Sequence, residues 1–183
     1  NTSDNCPFVA NPSQADAAFV QVQELLKRQP DNVPALMVMA GIQERKGNFA
    51  AARDNYTRIL KVMPAFAPAD RQLAFLYYAS LKMPAEAYGH ALKAREAFPK
   101  DPEVARLLGL LACQRGEFSR AGLLLQEAAA SFPDDSEVIY RLGLTQYKLK
   151  QSKESKANLT KALALAPNSE LAPEAKRLLA ELK

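Results

Sequence analysis

"FPKDPEVARLLG" at residues 98–109 returns as "FPDDSEVIYRLG" at residues 132–143, thirty-four positions later, with seven of the twelve letters unchanged. Recurrence at this distance marks a unit too short to bury its own apolar face, one that must stack on copies of itself. Pro30, Pro64, Pro99, Pro133 and Pro167 extend the period along the chain, with steps of 34, 35, 34 and 34. If each proline closes a unit near its thirty-second position, the repeats are 33–66, 67–101, 102–135 and 136–169.

In that register the other letters align. Position 8 holds Ala40, Ala74, Gly109 and Gly143, each preceded by a larger apolar residue, Met39, Leu73, Leu108 and Leu142. Position 20 holds Ala52, Ala87, Ala121 and Ser155, and position 27 holds Ile59, Ala94, Ala128 and Ala162. Apolar residues spaced by three and four make each unit two amphipathic helices, A and then B. Antiparallel helices approach to about 8 Å only where small side chains meet at the crossing, and positions 8 and 20 supply one from each helix. Gly47 and Gly116 stand where helix A should end in a left-handed residue. The closing proline stops helix B, and Asp101–Pro102 offers a cap and first-turn proline to the next helix A.

Small residues at 8, 20 and 27, proline at 32 and a period of 34 resemble the tetratricopeptide repeat, over roughly residues 14–183. The resemblance implies an all-α fold, a right-handed superhelical solenoid of antiparallel helix pairs. Position 4 departs from the family's tryptophan, carrying Leu36, Asp70, Ala105 and Ile139. The second repeat has an extra residue near "SLKMPAEA", which predicts an altered inter-helix turn, and the fourth has Lys150 in place of glycine. Residues 13–30 align as a lone helix B, with Ala18 and Leu25 at positions 20 and 27, after an irregular tail at 1–12. Residues 170–183 read as a capping helix whose polar side suits the end of an array. A lone helix B at the front is what a cut through a longer array would leave.

Within the tail, "DNCPFVANPSQAD" at 4–16 is similar to the opening of thrombospondin type-3 calcium repeats. Calcium needs six to eight oxygen ligands, and Asp16 is followed here by Ala17 and Ala18, so the ligand run is absent. The stretch is read as an irregular lead-in that tilts the compartment outside the cytoplasm, periplasmic or secreted. No apolar run approaches the roughly 18 residues that span a bilayer.

Catalysis needs convergent groups of tuned pKa. A single histidine (His90), cysteines at positions 6 and 113 with no metal-ligand spacing, and no glycine-rich phosphate loop argue for no catalytic site, no metal and no cofactor. A stacked helical array offers instead a concave wall lined by its A helices. The resemblance implies that positions 2, 5, 9, 12 and 13 face this groove. Carried over, they give Met37, Gly41, Glu44 and Arg45, then Arg71, Phe75 and Tyr78. The third repeat contributes Arg106, Leu110, Cys113 and Gln114, and the fourth Tyr140, Leu144, Tyr147 and Lys148. Rings and guanidinium groups in this pattern suit a peptide or helix of a partner protein. The family's clamp for chaperone C-termini needs asparagine at position 9, where Gly41, Phe75, Leu110 and Leu144 stand, so that mode is not expected.

Two other functions compete. "KLKQSKESKANLTK" at 148–161 has five lysines and one glutamate, and on a chain of formal charge +4 it could attract nucleic acid or an anionic membrane surface. Its lack of interleaved aromatics beyond Tyr147 reads instead as a solvated face. The third function is homo-oligomer formation, since an uncovered helix B leaves apolar surface for a second copy.

Overall fold

The computed structural model describes residues 12–182, and side chains from Ala17 onward. Those residues are all-α, and they fall into two compact units, Asn1–Lys82 and Met83–Lys183. The first contains α1 (Pro12–Arg28), α2 (Val33–Arg45), α3 (Phe49–Val62) and α4 (Ala67–Ala79). The second contains α5 (Pro84–Ala97), α6 (Pro102–Gln114), α7 (Phe118–Ser131), α8 (Ser136–Lys148), α9 (Ser152–Leu165) and α10 (Ala172–Glu181).

Local chemistry sets the ends. Asn32, Asp101 and Asp135 cap α2, α6 and α8, accepting backbone N–H bonds of 2.9–3.2 Å from the first turn. Each B helix stops one residue before its proline, at Met63, Phe98, Phe132 and Ala166, where φ lies between −120° and −142°. The proline ring clashes with a helical residue before it and forces this extension. Between A and B, Gly47 (φ +76°), Gly116 (φ +78°) and Lys150 (φ +60°) take the same left-handed position. After each of them the next N–H reaches five residues back, Asn48 to Gln43, Glu117 to Ala112 and Gln151 to Gln146, forming a Schellman turn.

In the second repeat the turn is altered. The corresponding bond, five residues back, closes at Leu81, onto Leu76, before the left-handed residue Lys82 (φ +55°). The boundary between the two compact units lies at this turn, inside the 67–101 repeat.

Within the first unit the core gathers Leu36, Ala40, Ala52, Tyr56, Ile59, Ala69, Leu73 and Leu76. In the second, α6 is packed by α5, α7 and α8 and is buried from Val104 to Cys113 except at Arg106. The crossings are close. A Cβ placed on Gly109 would lie 3.0 Å from Leu125, and one on Gly143 would lie 2.9 Å from Leu159 Cγ and 3.1 Å from its backbone nitrogen. Ser155, at position 20, donates a 2.9 Å hydrogen bond to the Gly143 carbonyl, joining the two small-residue positions directly.

Candidate functional site

Three expected wall residues of the first unit lie along α4 one turn apart. Arg71, Phe75 and Tyr78 are spaced i, i+4 and i+7, which places them on one helix face, and all three are half-buried. The Arg71 guanidinium stacks over the Phe75 ring at 4.9 Å from its centroid, a cation–π contact that holds both groups in place. On α2, Met37 packs against the core from the edge while Arg45 is exposed. Gly41 gives Arg45 room to fold back, its Cβ position lying 3.8 Å from the guanidinium nitrogen.

The second unit treats its expected wall differently. Leu110 and Tyr140 are 0% and 2% exposed, and Cys113 is buried as well. These three residues are core rather than surface, which corrects the groove assignment for each. Leu110 belongs to the enclosed helix α6. Tyr140 packs with Ile139, Leu159 and Ala162, and α10 closes over it with Ala175 and Leu178. Burial pushes the Tyr140 hydroxyl up to about 12.

Arg106 is half-buried and already engaged, 2.7 Å from Asp135, the cap of α8, and 3.9 Å from Glu137. It ties α6 to α8. Leu144 and Tyr147 pack against the α8–α9–α10 cluster, and the Tyr147 hydroxyl donates to Glu181 of α10, which raises the phenol's pKa. Lys148 is exposed, 5.9 Å from the Tyr147 ring centroid. Gln114 is exposed and, with Leu111, Arg115, Pro84 and Ala85, lines a hollow of about 200 Å³.

The residues expected to form one wall therefore separate into an accessible row on α4, accessible Arg45, Gln114 and Lys148, a buried or ion-paired set on α6, and Tyr140, Leu144 and Tyr147 of α8, packed against the last helix. The stretch resembling a calcium repeat, 4–16, lies outside the described side chains. Lys148, Lys150, Lys153, Lys156 and Lys161 are all exposed.

A further region is absent from the sequence-based assignment because the register directs attention to A helices. On the B-helix side of the second unit, α5 and α7 flank a trough of about 490 Å³ floored by Leu108. The available signal is "LLL" at 123–125. Three successive leucines sweep too wide an arc for one buried stripe, so one must face out, and Leu123 does so.

Comparison with known proteins agrees with this architecture. Residues 84–136 and 136–169 each match the tetratricopeptide repeat family. The chain is 25% identical over 135 residues to TPR repeat-containing protein PA4667 of Pseudomonas aeruginosa, covering 74% of this chain and only 23% of that protein. Among solved structures, YrrB, a TPR protein with an unusual peptide-binding site, superposes with a TM-score of 0.74 at 18% identity, over 90% of this chain and 84% of its own. MamA from Desulfovibrio magneticus RS-1 gives 0.67 at 18% identity, over 86% and 88%. PilW, a type IV pilus biogenesis factor, gives 0.60 at 18%, over 93% and 83%. No helix among the described residues is long and apolar enough to cross a membrane.

Proposed function

Since this chain carries tetratricopeptide repeats over residues 84–169, we propose that it is a non-catalytic scaffold that holds a segment of a partner protein against its A-helix faces. The observation that carries this reading is the row Arg71, Phe75 and Tyr78 on α4, stacked and half-exposed. A helix face with no ligand to meet is served as well by small polar residues. Here it presents two rings and a guanidinium, the residue types that dominate binding energy at interfaces. An extended or helical peptide with an apolar side chain beside a carboxylate matches this row: the rings take the apolar group and Arg71 or Arg45 the charge. YrrB, of similar fold, has a peptide-binding site, which is in keeping with this reading.

The test is selection of binders from a displayed peptide library, followed by fluorescence-polarisation titration against the chain and its Phe75→Ala and Tyr78→Ala variants. Enriched peptides should carry an acidic residue near an apolar one. Each variant should weaken binding by roughly tenfold or more, the loss of an anchor worth at least about 1.4 kcal/mol. Unchanged affinity with helicity intact would remove the row from the site.

A further inference from the structure

We infer that the B-helix face of the Met83–Lys183 unit is a self-association surface, on which a second copy of this chain docks about a twofold axis. The inference is independent of the peptide-binding reading, which concerns α4.

The surface has a knob. Leu123 on α7 is 74% exposed, more than any other large apolar side chain among the described residues. It stands between two hollows: the trough of about 490 Å³ toward α5 and another of about 110 Å³ bordered by Gln146 and Leu149. The larger trough is apolar where a knob would enter, being lined by Leu92, Leu108 and Leu124. Knob and hole thus lie side by side on one face, the arrangement that an isologous interface requires, because each copy must present both. If the α7 ridge of one copy sits in the trough of the other, each Leu123 fills the opposite hole.

Charge selects the same occupant. Arg95 of α5 and Glu127 of α7 close one end of the rim in a paired contact of 2.6 and 2.9 Å. The other rim charges are of opposite sign on opposite walls, exposed Glu96 on α5 and Arg120 on α7, whose guanidinium donates to the Tyr88 hydroxyl at 2.9 Å and lies 3.6 Å from Glu117 while its side chain stays 51% exposed. Twofold docking brings α5 of each copy against α7 of the other, so Glu96 meets Arg120 of the second copy, twice. The rim carries two positive and two negative groups, so copies of a chain with formal charge +4 meet there without net repulsion. A strongly acidic or strongly basic ligand finds no matching field on this rim.

Sedimentation velocity over a range of concentrations tests this on the whole chain. A reversible monomer–dimer equilibrium is expected. Leu123→Glu, at a site too exposed to disturb the fold, should weaken the dimer at least tenfold with the circular dichroism unchanged. Glu96→Arg and Arg120→Glu should each self-associate less than the parent, since each places like charges together at both contacts. Mixed in equal amounts, these two variants should recover a dimer, because opposite charges then face each other at both contacts. A chain that stays monomeric throughout overturns the proposal, as does a dimer indifferent to Leu123→Glu. Failure of the mixture to associate overturns it too.

Discussion

The hairpins α2–α3 and α8–α9 share one register and have different fates. In the first, Ala40 meets Ala52 at the crossing, the turn is made by Gly47, and Arg45 at the end of α2 is exposed. In the second, Gly143 meets Ser155, the turn is made by Lys150, and α10 covers Tyr140. The repeat pattern sets where two helices cross. How closely they cross, and whether the outer face of helix A stays open, depends on the particular side chains and on what packs next.

Gly143→Ala should have the largest effect. The added methyl meets both the Leu159 side chain and its backbone nitrogen at 3.1 Å or less, and backbone cannot rotate away. A loss of about 1–3 kcal/mol is expected in urea unfolding, typical of an overpacked core. The reciprocal change, Ala40→Gly, opens no clash but removes a fully buried methyl as well as loosening the helix, and should cost about 1–2 kcal/mol. A Gly143→Ala chain as stable as the parent would show that Leu159 gives way at the second crossing.

The turns come next. Lys150 is held at φ +60°, a region costing a residue with a Cβ roughly 1 kcal/mol or more. Lys150→Gly should therefore raise the thermal midpoint, and Gly47→Ala, by the same reasoning, should lower it. A Lys150→Gly variant no more stable than the parent would break the equivalence drawn between the two turns.

The smallest effect at neutral pH belongs to Tyr140, whose buried hydroxyl feels the Glu174 carboxylate of α10 but forms no full hydrogen bond among the described residues. Tyr140→Phe removes that unpaired group and should be neutral or slightly stabilising. Its signature is alkaline. With the folded hydroxyl pushed up to about 12 and an unfolded tyrosine near 10, the folded chain retains a proton that the unfolded one releases. Stability contributed by this residue is complete below about pH 10 and declines as pH rises toward 12. Denaturation midpoints measured across that window should fall less steeply for Tyr140→Phe than for the parent.

Much of the fold was legible because it is periodic. Proline spacing fixed the B-helix ends, the residues at positions 8 and 20 marked the crossings, and "SLKMPAEA" announced the altered turn. The wall was legible only in part. Arg71, Phe75 and Tyr78 keep accessible surface, but Tyr140 occupies the same register position as Arg71 and is buried, because α10 packs over it. Arg106 could not be recognised as spent, since its partner Asp135 is twenty-nine residues away. Leu123 was overlooked because a register that assigns ligands to A helices does not examine the back of helix B.

By itself the sequence determined the helix pairs, their turns and the positions where they touch, all consequences of local backbone preference and of apolar spacing within about thirty-four residues. Only the tertiary structure decided which side chains remain available. Exposure is a property of the neighbour that arrives from elsewhere in the chain, and neither the spacing nor the chemistry of a single repeat specifies that neighbour.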